Sequence, residues 1–185
     1  MFGVAMIRPA PLLIAGLIVV ALTASAVAQQ APTRRMAEPP SPYFMEFRAR
    51  SGGALGHTFI AYGRVDGRGR VLQERHAGLY PNDEYHESIL PVLMPVSAYI
   101  KFGKEDARLS ITAAYRRRLT AAEYMHLQET LRYLQGSEHR WNLFFYNCNE
   151  FASQVAREMG LWTMPGGLMQ PNVFVTGLRT LNGPQ

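Results

Sequence analysis

The first thirty residues, MFGVAMIRPAPLLIAGLIVVALTASAVAQQ, limit how much of this chain is left to build a fold. They run from one cation, Arg8, through an apolar stretch of about 14 residues to the small residues Ala26-Val27-Ala28, the order of an export signal with an A-x-A cleavage site. A spanning helix needs roughly 20 apolar residues, and Thr23, Ser25 and Gln29 interrupt this run too early. Residues 1–28 are therefore expected to be a signal peptide cleaved after Ala28, which makes the mature protein secreted or periplasmic. Residues 29–42, QQAPTRRMAEPPSP, are polar and proline-rich and read as a flexible linker, because they bury too little apolar surface to offset the entropy of ordering. What remains, residues 43–185, is roughly 140 residues, the size of one domain with one core.

That core has no covalent help, since Cys148 is the only cysteine and an intrachain disulfide is impossible. The thiol is then inert and buried, paired with another chain, or chemically used. Charge narrows the partners. Removing Arg8 from 19 Lys and Arg leaves 18 against 14 Asp and Glu, and apart from Arg116-Arg117-Arg118 the cations are scattered. Without a groove-reading motif this is a solvated surface and no nucleic-acid partner is expected. Contact with an anionic membrane or wall polymer is compatible with the charge but unspecific.

Tyr43 to Arg50 alternates with the period of two of a strand. Ser51 to Gly56 (SGGALG) reads as a glycine-rich turn, and His57 to Val65, rich in β-branched and aromatic residues, as the next strand. Asp66 to Gly69 (DGRG) predicts a hairpin, with Arg70 to His76 returning. From Ala77 to Arg108 the pattern weakens, broken by Pro91 and Pro95, and irregular structure with at most a short strand is expected. Ala107 to Tyr115 again alternates. Thr120 and Glu123 form a T-x-x-E capping box before Tyr124, Leu127, Leu131 and Leu134 at helical spacing, with Gly136 placed to end the helix. Past the aromatic run Trp141 to Tyr146, a second helix is marked by Phe151, Ala152, Val155, Ala156 and Met159, with Gly160 as its C-terminal cap.

Asn147 suits the N-cap of that second helix, which puts Cys148 in its first turn, where unpaired N–H groups and the helix dipole favour a thiolate. The competing expectation is a buried cysteine acting as a small hydrophobe. A reactive thiolate needs a base. Of five histidines, His86, His126 and His139 read as surface residues. His57 differs: it opens a strand directly after a glycine turn. If the hairpin turns on two residues, His57 lies opposite His76; on four, opposite Gly78. Either register leaves Glu74 and His76 on the His57 face. One of them, with His76 preferred, is the candidate to orient the imidazole in a nucleophile, base and orienter set. Asn147 and Tyr62 are the candidate substrate or oxyanion contacts. No H-E-x-x-H or paired C-x-x-C spacing points to a metal, and no cofactor is expected.

The pair GHTFI (Gly56 to Ile60) at a strand start and YNCNEF (Tyr146 to Phe151) at a helix start resembles the circularly permuted branch of the papain-like thiol hydrolases. That branch includes the permuted NlpC-type hydrolases, lecithin:retinol acyltransferase-like proteins and deSUMOylating isopeptidases. The resemblance implies an α+β fold, an antiparallel sheet packed against the cysteine helix, with Cys148 as nucleophile, His57 as base and a third polar residue near Glu74 or His76. Glu150 stands where several members have histidine, which departs from their N-C-x-H-F motif. The implied activity is an amidase, endopeptidase or acyltransferase acting on peptide or acyl groups of the cell envelope, wall peptide ahead of lipid. The alternative is a binding or scaffolding module that keeps the fold without turnover. The tail Leu161 to Phe174, with Trp162, Met164, Met169 and Phe174, is expected to close the core or line an apolar pocket.

Overall fold

The computed structural model describes residues 41–52, 55–85, 88–103 and 105–183. The expected signal peptide, nearly all of the expected linker, and His86 lie outside these residues. Six strands, β1 (Tyr43–Arg50), β2 (His57–Val65), β3 (Val71–Pro81), β4 (Val96–Gly103), β5 (Ile111–Leu119) and β6 (His139–Trp141), form one sheet in the order β5-β1-β2-β3-β4-β6. Every neighbouring pair is antiparallel. Four helices accompany it: α1 (Leu90–Leu93), α2 (Ala121–Gln135), α3 (Cys148–Glu158) and α4 (Pro171–Asn182). The class is α+β, as expected.

Strand alternation divides the sheet into two faces. Met45 and Phe47 of β1, paired with Tyr62 and Ile60 of β2, share one face with Ala77 and Leu79 of β3 and Tyr115 of β5. Against it pack Leu127, Leu131 and Leu134 of α2, Phe151 and Val155 of α3, and Phe174 and Leu178 of α4 in a single core. Phe47, Phe151 and Phe174 are fully buried there, and each contributes on the order of 1.5–3 kcal/mol by leaving water. The other face carries Glu46, Arg48 and Arg50 of β1 opposite Ala61, Phe59 and His57 of β2.

Both helices read from periodicity form as expected. Thr120 and Glu123 make a complete capping box on α2, and Gly160 takes the positive φ of +70° that ends α3. Four expectations need correction. β3 continues to Pro81 instead of stopping at His76, because Ala77 and Leu79 belong to the core and their partners form β4, eight residues long in the stretch expected to be irregular. β5 starts later than Ala107, since Glu105 to Arg108 winds into a 3₁₀ turn and leaves Leu109 exposed. His139 is buried, its Nε2 bonded to the Leu134 carbonyl at 2.5 Å and its ring stacked on Tyr146. Arg116 and Arg117 are not free cations: Arg116 binds Glu46 and lies over the Phe44 ring, while Arg117 binds Glu123 and the Met159 carbonyl. In the tail, Phe174 is buried in α4, Met164 and Met169 pack on the core, and Trp162 is exposed.

Candidate active site

Cys148 stands at the start of α3 because Asn147 caps the helix. The Asn147 side-chain oxygen Oδ1 accepts from the backbone N–H of Asn149 at 2.9 Å and of Glu150 at 3.2 Å. Its amide donates to the carbonyls of Leu143 at 2.9 Å and Gly167 at 2.6 Å, so one side chain ties together the segments before and after the helix. The following loop lies flat on the first turn: a Cβ on Gly166 would come within 2.3 Å of the Glu150 nitrogen. Glu150, which stands where the motif the sequence resembles often has histidine, is engaged in local bonds here. It accepts from the Gly166 N–H at 2.7 Å and from Arg157 at 3.1 Å.

Asn149 joins this helix start to β2. Thr58 Oγ1 donates to Asn149 Oδ1 at 2.5 Å, and the Asn149 amide donates to the Met169 carbonyl at 2.6 Å, with Thr58 and Asn149 both buried. The residues next to this bond are His57 and Cys148. Cys148, 8% exposed, opens onto a small cleft of about 100 Å³ walled by Leu55, Trp141, Leu143, Leu168 and Met169. Burial pushes its thiol up and outweighs the opposing pull of the Thr58, Asn149 and Cys148 N–H groups and of Arg50. This corrects the expectation of a lowered thiol. The helix terminus does act in the predicted direction, but desolvation of the thiolate is larger.

His57 begins β2 opposite Arg50. Its imidazole lies over Gly78, where a Cβ would come within 2.8 Å of Nε2. It also packs against Tyr80, with ring centroids 4.4 Å apart. Nε2 is buried and has no hydrogen-bond partner. Burial lowers the imidazole to about 4, partly opposed by Asp106 and reinforced by Arg50. His57 is therefore neutral at physiological pH and able to accept a proton. No hydrogen bond joins it to Cys148.

The polar groups gathered near His57 are Tyr80, Asp106 and Arg50. Asp106 accepts from Arg50 Nε at 2.6 Å and from the Tyr80 hydroxyl. None of the three was among the sequence candidates. Tyr80 lies beyond the expected end of β3, and Asp106 lies in a stretch without periodicity.

Glu74 and His76 do fall on the His57 face, as expected, since they pair with Gly63 and Ala61. The register is shifted further than either hairpin predicted. A bulge between Arg64 and Val65 helps set Ile60 opposite Ala77, and continuing that pairing brings Tyr80 opposite His57. Phe59 comes between the two histidines, its ring centroid 5.1 Å from that of His76 and 6.4 Å from that of His57. His76 Nε2 bonds Glu74 at 2.7 Å, and Glu74 accepts from the two terminal Arg48 nitrogens, Nη1 and Nη2, at 2.9 and 2.8 Å. These bonds, His76 first, hold the Glu74 carboxyl down at about 2 against the opposing effect of burial. A depressed carboxyl stabilises the fold above its ordinary value near 4.5 and loses that contribution as pH falls through the folded value. Glu74→Gln is thus expected to flatten the decline in stability between pH 4.5 and about 2, measured by urea unfolding across that range. An unchanged acid limb would mean that other carboxylates carry it.

Tyr62 points to the helix face near Tyr124, with ring centroids 6.4 Å apart, and borders a different cavity from the Cys148 cleft. Asn147 lines that cleft, but its amide and carbonyl are engaged in the cap. Among the described residues no group of three or more His, Cys, Asp or Glu side chains is placed to hold a metal ion, and no helix is long and apolar enough to cross a membrane. No family model matches the chain, and no curated protein or solved structure is detectably similar to it.

Proposed function

We propose that this chain is an exported thiol hydrolase or acyltransferase of the cell envelope, built on a permuted papain-like plan, that works through an acyl-enzyme on Cys148. The observation that carries the reading is the clamp between Thr58 and Asn149. It holds the start of the histidine strand against the start of the cysteine helix, beside a cleft into which the thiol opens. In the proposed reaction the Cys148 sulfur attacks an amide or ester carbonyl carbon and its proton passes to His57. The backbone N–H of Cys148 helps hold the oxyanion. Collapse of the tetrahedral intermediate breaks the C–N or C–O bond, and the imidazolium returns the proton to the leaving amine or alcohol. Water or a second acceptor then releases the thioester. The neutral imidazole and protonated thiol of the resting site suit general-base activation at the moment of attack. The bond between them forms only when substrate occupies the cleft, as in many unliganded sites.

A second reading, an envelope binding or scaffolding module, is favoured by one observation: the resting thiol and imidazole are both neutral and not bonded to each other. Reaction of the purified chain with p-nitrophenyl acetate separates the two. Turnover chemistry gives an acetyl thioester on Cys148 by mass spectrometry, absent in Cys148→Ala. The adduct forms about a hundredfold more slowly in His57→Ala, the lower end of general-base contributions. An adduct that forms equally fast without His57, or no adduct at all, supports the binding module.

A further inference from the structure

We propose that the cavity between β3 and α2 binds a small ligand bearing an oxyanion, a carboxylate or a phosphate ester, on an apolar body. β4 ends at Gly103 opposite His76, so among the described residues Val71 to Arg75 of β3 has a strand partner only in β2. Where the sheet narrows, α2 bridges over it and leaves a space of about 570 Å³, within the usual range for small-molecule sites of roughly 300–1,000 Å³.

The chemistry of the walls is asymmetric. Gln128, Arg132 and Gln135 of α2 line the cavity, their spacing of four and three placing them on one helix face. Arg75 lines it from β3 and lies beside the Tyr62 hydroxyl. Neither Arg75 nor Arg132 has a carboxylate partner among the described residues; other surface arginines such as Arg64 and Arg68 share that state, but these two lie on two walls of one cavity. A cation in the last turn of α2 is explained by the helix carbonyls, but Arg75 on a separate wall is not. The one carboxylate bordering the cavity, Glu74, is already matched by Arg48 and His76. Leu131 and Phe102 supply apolar surface. Two guanidinium forks, two side-chain amides and a phenol around an apolar floor are suited to a planar or tetrahedral oxyanion with a hydrophobic tail. This site shares no lining residue with the Cys148 cleft, so it stands or falls independently of the proposed activity.

Titration of the ¹⁵N-labelled full chain with inorganic phosphate and, separately, with benzoate tests the proposal. Saturable shifts are expected at the amides of Tyr62, Arg75, Gln128 and Arg132. Affinity should weaken about tenfold in Arg75→Gln and in Arg132→Gln, the loss expected for one charge-assisted hydrogen bond. Both arginines are exposed, so the variants should keep the parent melting temperature. Tighter binding of benzoate identifies a carboxylate ligand, and tighter binding of phosphate a phosphoryl group. Failure of both probes to saturate, or affinities unchanged in both variants, overturns the proposal.

Discussion

Asn149→Ala is expected to lower the stability of the domain by about 3 kcal/mol and to disorganise the Cys148 cleft. The side chain is 1% exposed and its two ends serve different partners. Its carbonyl oxygen accepts from the fully buried Thr58 hydroxyl at 2.5 Å, and its amide donates to the Met169 carbonyl at 2.6 Å. Alanine leaves both partners without their bond, and a buried polar group left unsatisfied costs about 1–3 kcal/mol. The cavity left behind adds to that cost. Chemical denaturation of Asn149→Ala, Thr58→Val and the double variant separates these contributions. Thr58→Val alone strands only the Asn149 oxygen and is expected to cost about 1–2 kcal/mol. In the double variant the two losses should sum to more than the measured effect, because the same bond is removed in both. Additive losses would mean that the bond between Thr58 and Asn149 does not hold β2 to α3, and the main support for a shared Cys148 and His57 site would go with it.

The second large effect is on thiol reactivity. An active-site pair preformed as thiolate and imidazolium would alkylate rapidly at neutral pH. The structure predicts the opposite. Burial raises Cys148 above its ordinary value, so the thiol is protonated at pH 7, and only the thiolate reacts. Alkylation by iodoacetamide is therefore expected to rise with pH through an apparent pKa above that of a free thiol. His57, lowered to about 4, is uncharged throughout this range. His57→Ala is expected to leave the alkylation profile nearly unmoved while slowing acylation by p-nitrophenyl acetate about a hundredfold. The pair of readouts distinguishes an imidazole that acts as base only during attack from one that holds a standing ion pair. A resting pKa well below that of a free thiol, rising on removal of His57, would overturn the neutral-pair picture.

The sequence by itself determined β1, β2, α2 and α3, because each carries a complete local pattern, whereas α4 was not marked. Strand alternation in Tyr43 to Arg50, the T-x-x-E box of Thr120 and Glu123, and the helical spacing from Phe151 to Met159 each act within a few residues. The helix cap at Asn147 was legible for the same reason, and with it the place of Cys148. The shared face was also anticipated: Glu74 and His76 lie with His57 in any register that sets odd residues of β2 opposite even residues of β3.

Tertiary structure decided what depends on counting across strands and on burial. The pairing of Val65 with Val71 and the bulge beside it together shift the register so that Tyr80, not His76, continues opposite His57, and no local pattern announces how far a hairpin will slip. Asp106 reaches Tyr80 and Arg50 from a 3₁₀ turn far along the chain, with nothing in its neighbours to mark it. The protonation of Cys148 was beyond local reasoning as well. A helix terminus can be read from the chain, but the burial that outweighs it arises only when the chain folds around the thiol.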